Sequence, residues 1–225
     1  MLSRPVRRAC VALVVVTACL LIPRQPPLAA AHLFDEAVPE LAQGIALPRW
    51  ERARRALARD GRRLDACLAD AAACAHARHV AWRRLVADQR EQPIRARLEA
   101  VNRFVNAVPY ASDREVHGAR DHWAGPWGFL AGAGDCEDYA IAKYATLARL
   151  GVAVRDMRIV VVEDVRRGLP HAVLAVRTES GVWLLDNQSE RLLDAARDHR
   201  YDPYYAVNED ERWLYRLPGE TAPAR

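Results

Sequence analysis

Three side chains far apart in the chain, Cys136, His171 and Asp186, have the types that nucleophilic catalysis needs. A thiolate attacks, an imidazole takes and returns the proton, and a carboxylate orients the imidazole. Cys136 stands in Gly132-Ala133-Gly134-Asp135-Cys136-Glu137-Asp138-Tyr139, where a glycine-rich stretch runs straight into an apolar segment. This pattern predicts a loop entering a helix. Asp135 is the N-cap, Cys136 the first helical residue, and Asp138 falls in a capping-box-like position. There the helix dipole favours a thiolate, and the backbone N–H of Cys136 has no partner within the helix, so it can donate to an oxyanion.

His171 and Asp186 fall on two segments that read as a β-hairpin, His171–Thr178 and Val182–Asp186, joined through Glu179-Ser180-Gly181. With a loop over 178–181, Asp186 lies opposite Val173, and His171 is one diagonal step away on the same face. Diagonal neighbours lie about 7–8 Å apart at Cα, within reach of an imidazole–carboxylate hydrogen bond. The other histidines (His32, His76, His79, His117, His122 and His199) have no acid partner implied by spacing. Asp135 and Glu137 flank the sulfur, and their charge should raise its pKa. Either they turn away as helix-start carboxylates or a cation neutralises them. Hard oxygen groups in a loop suit Ca²⁺, although the spacing is not that of an EF-hand. N-capping and calcium both remain open at this level.

The elements that must position these groups follow from periodicity. Residues 49–63 carry Arg49, Arg52, Arg54, Arg55, Arg59, Arg62 and Arg63, which read as the solvated face of a helix. The alanine-rich stretch 64–88 reads as further helix. Pro93 opens an amphipathic run through Ile94, Leu98, Val101, Val105 and Val108, which Pro109 ends. Residues 109–134 read as loop. Asp138–Leu150 is apolar nearly all round, a buried helix with Gly151 as its C-terminal cap. Met157–Glu163 reads as a strand before the hairpin, Arg212–Leu217 as a further strand, and Pro218–Arg225 as a tail. Helices first and strands later predict one α+β domain over residues 32–225 with an antiparallel sheet.

Residues 1–31 read as a targeting segment. Arg4, Arg7 and Arg8 precede an apolar run from Ala9 to Ile22, and Ala29-Ala30-Ala31 offers a signal peptidase site after Ala31. An uncleaved N-terminal anchor and a lipoprotein at Val16-Thr17-Ala18-Cys19 are the alternatives; all three export the remainder. The arginines of this segment account for the whole excess of 33 Lys+Arg over 29 Asp+Glu. The exported part is therefore neutral, which argues against a nucleic-acid partner. Of its three cysteines, Cys67 and Cys74 can form a disulfide in an oxidising compartment. On one continuous helix they would be about 10.5 Å apart, so a bridge needs a bend between them. Two buried thiols are the alternative. Cys136 is left alone either way.

The run Gly134-Asp135-Cys136-Glu137-Asp138-Tyr139-Ala140-Ile141-Ala142-Lys143-Tyr144 closely resembles the bacterial transglutaminase-like cysteine proteinases, and among them the LapG-type periplasmic adhesin proteases. Asp121-His122-Trp123-Ala124-Gly125-Pro126, His171-Ala172-Val173-Leu174 and Leu185-Asp186-Asn187 extend the match, which covers about residues 45–217. The resemblance implies a papain/transglutaminase-like core. It implies Cys136 as nucleophile, His171 as general base and acid, and Asp186 as its orienter. The family's calcium dependence maps onto Asp135 and Glu137, with Asp138 a weaker candidate. The implied role is periplasmic cleavage of a large surface adhesin near its N-terminus, which frees the adhesin and disperses biofilm. The implied partner is an inner-membrane receptor that senses cyclic di-GMP and sequesters the protease.

Two positions depart from the family pattern. Trp127-Gly128 replaces a more polar pair, which bears on receptor contacts, and Gly125 stands where a small hydroxylated residue is common. Trp123 and Trp127 are candidates either for lining a substrate cleft or for packing within their loop. Three functional readings compete: a calcium-dependent cysteine endopeptidase, a transglutaminase-type acyltransferase that passes the acyl group to an amine, and a non-catalytic peptide-binding module.

Overall fold

A computed structural model describes residues 33–34, 47–119 and 121–215. The targeting segment and the C-terminal tail lie outside these residues. The helical half contains α1 (Pro48–Ala69), α2 (Ala77–Gln89), α3 (Ile94–Asn106), α4 (Asp113–His117), α5 (Pro126–Ala131) and α6 (Cys136–Arg149). The arginines of residues 49–63 are all exposed, while Trp50, Ala53, Leu57 and Leu64 of α1 face the core. The stretch 64–88 is two helices rather than one. Asp70 ends α1 and its side chain accepts from the Ala72 N–H, capping a single 3₁₀ turn at Ala71–Ala73. Pro93 precedes the first helical residue of α3 as its cap.

The strands are β1 (Met157–Asp164), β2 (Leu169–Thr178), β3 (Gly181–Leu185), β4 (Leu193–Asp194), β5 (Tyr201–Val207) and β6 (Arg212–Leu214). They form one antiparallel sheet in the order β4-β3-β2-β1-β5-β6. Both faces of its centre are buried, which is why the middles of β1 (159–162) and β2 (172–176) are unbroken apolar runs. On one face Ile159, Leu174, Val176 and Leu185 pack against the helices. On the other, Val160, Val162, Val173, Ala175 and Leu184 form a second layer with Tyr201 and Trp213. Leu33 and Phe34 cover that layer. The Arg158 guanidinium lies between the rings of Phe34 and Trp213 and donates to the Leu33 carbonyl, which also accepts from Tyr215 Oη at 2.6 Å.

Further sequence expectations change. Residues 109–134 hold two short helices instead of plain loop. Their start signals are present: Ser112 N–H donates to Glu115 Oε2 (2.8 Å), a capping box, and Pro126 opens α5. The strand β5 was not expected, because Pro203 interrupts its pattern. Pro203 sits where the β1–β5 register shifts between Val161 and Val162, a place where a missing N–H is tolerated. The last strand stops at Leu214 rather than Leu217.

Candidate active site

Helix α6 is the spine of the site. It is apolar on almost every side because α3, α5, β1 and β2 all pack on it, and Gly151 ends it at φ +84°, a conformation that favours glycine. Cys136 is its first residue. The Asp135 N–H donates to Asp138 Oδ2 (3.3 Å), and the second Asp138 oxygen accepts from the Ala124 N–H (2.7 Å). Gly134 passes so close to this carboxylate and to Phe129 that a Cβ there would collide with both. The preceding chain is fixed by Ala111 N–H donating to Gly134 O at 2.9 Å.

The hairpin β2–β3 has the register expected from a 178–181 turn: Thr178 pairs with Gly181 and Leu174 with Leu185, which puts Asp186 opposite Val173 just past the paired ladder. His171 and Asp186 are both buried, and His171 Nε2 donates to Asp186 Oδ1 at 2.8 Å. Asp186 also accepts from the Gln188 N–H (2.9 Å) and from Tyr201 Oη (2.6 Å). Burial pushes the Asp186 pKa up, but the hydrogen bonds and the His171 charge outweigh it and hold the carboxyl below its ordinary value. With Nε2 committed to Asp186, Nδ1, which the Gln188 side-chain amide approaches at 3.3 Å, is the imidazole nitrogen left to exchange a proton with the sulfur. The next residue, Ala172, points its N–H at the Cys136 sulfur. Cys136 and His171 open into one cleft of about 440 Å³, whose walls include Tyr110, Arg167, Leu169 and Gln188.

The sulfur is not in the thiolate-favouring state that its helix position suggests. Burial pushes its pKa well up, and the Glu137 and Asp135 carboxylates add to that. Its S–H donates to Glu137 Oε2 at 3.0 Å. Burial and the Glu137 charge also push Asp135 up to about 8. These acids do not simply turn away as caps. They converge with two others that spacing did not reveal: Asp113, at the start of α4, and Asp121. One ligand atom from each of Asp113, Asp121 and Glu137 lies within 4.8 Å of the other two, and Asp113 N–H donates to Asp135 Oδ2 at 3.3 Å.

The chain is similar in sequence and fold to known proteins. Residues 63–216 match the family model described as bacterial transglutaminase-like cysteine proteinase. The chain belongs to that family. Solved structures of Legionella pneumophila LapG are similar at 33% identity, covering 61% of this chain and 77% of that one with a TM-score of 0.56. A calcium-bound form of the same protein matches at 32% identity, 64% and 82% coverage, and a TM-score of 0.57. No curated protein matches the chain.

The acidic residues of this proteinase fit a hard divalent cation. Asp113, Asp121 and Asp135 each keep one buried carboxylate oxygen with no hydrogen-bond partner. Unpaired buried carboxylate oxygens are expensive unless a cation meets them. Asp113, Asp121, Asp135 and Glu137 are thus the residues that would hold calcium. Asp138 has both oxygens engaged by backbone N–H groups, and burial pushes its pKa up to about 7.

The sulfurs of Cys67 and Cys74 are brought together as a disulfide across the 3₁₀ turn after α1, with Cα atoms 4.7 Å apart. The bend at Asp70 makes this possible. Cys136 is the free cysteine among the described residues. Neither tryptophan candidate lines the cleft. Trp123 is buried edge-on against Trp50, and Trp127 stacks on His79 at 3.7 Å. Gly125 is explained by Asp60, whose carboxylate accepts from the Trp127 N–H (3.2 Å) and occupies the space a Cβ would need. A hydroxylated residue has no room there.

Proposed function

We propose that this proteinase is a calcium-dependent periplasmic cysteine endopeptidase that cleaves the N-terminal region of a large surface adhesin, releasing it and promoting biofilm dispersal. The observation that carries the reading is the shared cleft: Cys136 at the head of a buried helix opens beside His171, which is bonded to Asp186. His171 Nδ1 takes the Cys136 proton as the sulfur attacks the scissile carbonyl. The developing oxyanion meets the backbone N–H of Cys136 at the helix start. His171 returns the proton to the departing amine, leaving a thioester. Water, deprotonated by His171, then hydrolyses it and restores the thiol. Asp186 keeps the imidazole in the required tautomer and supports its positive charge.

Asp113, Asp121, Asp135 and Glu137 would hold calcium, and its positive charge beside the sulfur would offset the carboxylates that keep the thiol protonated. The calcium-bound state of Legionella pneumophila LapG supports this part of the reading. The basic and apolar runs of residues 1–31 export the protein, and by the family resemblance a cyclic di-GMP-sensing inner-membrane receptor restrains it.

The test is cleavage of the N-terminal region of a large adhesin from the same host. It is run with Ca²⁺, with a chelator, and with Cys136→Ala. A cut that needs both the metal and the thiol supports the reading. A new peptide N-terminus formed without added amine separates it from an acyltransferase. Cleavage by Cys136→Ala would remove the nucleophile assignment.

A further inference from the structure

One piece of main chain at the cleft is paired on a single side. After α3 the chain runs through Pro109 and Tyr110 beside Gly134, two residues before Cys136. Tyr110 forms an isolated parallel bridge with Gly134, and the bonds of that bridge belong to its neighbours. Ala111 N–H donates to Gly134 O at 2.9 Å, and Gly134 N–H donates to Pro109 O at 3.4 Å. The N–H and C=O of Tyr110 itself therefore point away from Gly134, and among the described residues neither has a partner. Such an open edge is the template on which an added strand pairs.

The edge lies at the reacting atoms, because Tyr110 lines the same cleft as Cys136 and His171. Leu169 lines it too. It stands two residues before His171 on β2 and so shares that residue's face of the strand. Tyr110 and Leu169, 64% and 50% exposed, are the most exposed large apolar residues among the described ones. Their meeting at one cleft marks surface that a bound chain would cover. We propose that the cleft takes its substrate as an extended strand laid along Tyr110. The Tyr110 N–H donates to a substrate carbonyl, the Tyr110 C=O accepts from a substrate N–H, and the Tyr110 and Leu169 side chains flank the strand. The inference rests on the endopeptidase reading of this cleft and adds the form of its substrate. That form is a segment free of its own strand partners, held by its main chain and therefore tolerant of side-chain identity.

The experiment follows alkylation of Cys136 in the full chain with Ca²⁺ present, read by mass spectrometry of the Cys136 peptide. Iodoacetamide, which has no peptide chain to pair, is compared with the chloromethyl ketone of acetyl-trialanine, from which the sulfur displaces chloride. Relative to a cysteine in a free peptide, wild type should favour the trialanine reagent over iodoacetamide by roughly tenfold or more, as two added hydrogen bonds would give. A methyl group on one amide nitrogen of the reagent should slow it roughly threefold to tenfold, the contribution of one such bond. The adjacent nitrogen should tolerate the methyl, because neighbouring amides of a strand point to opposite sides. Tyr110→Ala keeps both main-chain groups, whereas Tyr110→Pro removes the N–H and leaves both bridge bonds in place. Relative to iodoacetamide, Tyr110→Pro should take the trialanine reagent roughly threefold to tenfold more slowly than Tyr110→Ala does. No preference for the trialanine reagent, a methyl effect equal at every nitrogen, or a Tyr110→Pro rate equal to that of Tyr110→Ala overturns the proposal. If Tyr110→Pro does not fold, the methyl series on wild type decides it. A wild-type Cys136 no more reactive toward either reagent than a cysteine in a free peptide would overturn the endopeptidase reading and this proposal together. A thiol activated toward iodoacetamide without the methyl pattern would overturn this proposal alone.

Discussion

Removing calcium should loosen the head of α6 by an amount the acid cluster sets. Ligand atoms of Asp113, Asp121 and Glu137 lie within 4.8 Å of one another. Two ionised carboxylates at that distance repel by about 3.5 kcal/mol at an effective dielectric near 20. A cation that relieves one such contact should raise the melting temperature by roughly 7–14 °C in a domain of this size. The gap should also depend on pH. Asp135 is held at about 8 in the folded chain against an ordinary 3.8. A raised folded pKa means stability that is full below the unfolded value and lost as pH climbs toward the folded one. The chelated protein should therefore weaken between pH 5 and pH 8. The calcium-loaded protein, whose carboxylates are ionised and paired with the metal, should not. Differential scanning calorimetry with Ca²⁺ or with chelator at pH 5, 6.5 and 8 reads both effects. A gap that stays flat or narrows with rising pH would refute the reasoning. So would a full gap in Asp135→Asn.

Three further outcomes follow from geometry already described. Replacing both Cys67 and Cys74 by serine should lower stability by about 2.5 kcal/mol, the loop-closure value for so short a ring, read as a shift in urea midpoint; an unchanged midpoint would contradict it. Gly134→Ala should push the Asp138 carboxylate off the Ala124 and Asp135 N–H groups, lowering stability by about 1–3 kcal/mol and cutting activity; a melting point within a degree of wild type would show that the loop gives way freely. Asp186→Asn should cut turnover on the order of 10⁴-fold, as the equivalent change does in a serine protease triad. It should also remove stability that wild type has above the ordinary carboxylate pKa and loses as pH falls, because the Asp186 pKa is depressed. An acid limb of the unfolding curve identical to wild type would count against that bond.

The parts of the fold and site that were legible in the sequence are those set by neighbours in the chain. Gly134-Asp135-Cys136 announces a helix start, and the hairpin register follows from one short turn, so spacing alone brings His171 and Asp186 together. The expectation that a helix start favours the thiolate did not hold for Cys136. The dipole is a weak, local term, and burial beside two acids exceeds it. Asp113 and Asp121 were hidden because they reach the site only when α4 and the segment after it fold back onto α6, a tertiary event with no periodic signature. Tyr201 was hidden behind Pro203, whose strand is tolerated only at a bulge.

The closeness of Cys67 and Cys74 has a consequence for how the chain matures. Under the proposed export, a polypeptide that crosses the membrane N-terminus first presents these two thiols well before Cys136 emerges, and a separation of seven residues lets them meet often. Their early union leaves the third sulfur without a rival partner, so an oxidising compartment can finish the bridge without capturing the reactive group. Chain order thus selects one pairing among the three open to Cys67, Cys74 and Cys136. With Cys74→Ser that protection should vanish, and a cross-linked Cys67–Cys136 peptide should accumulate in mass spectra of the exported protein.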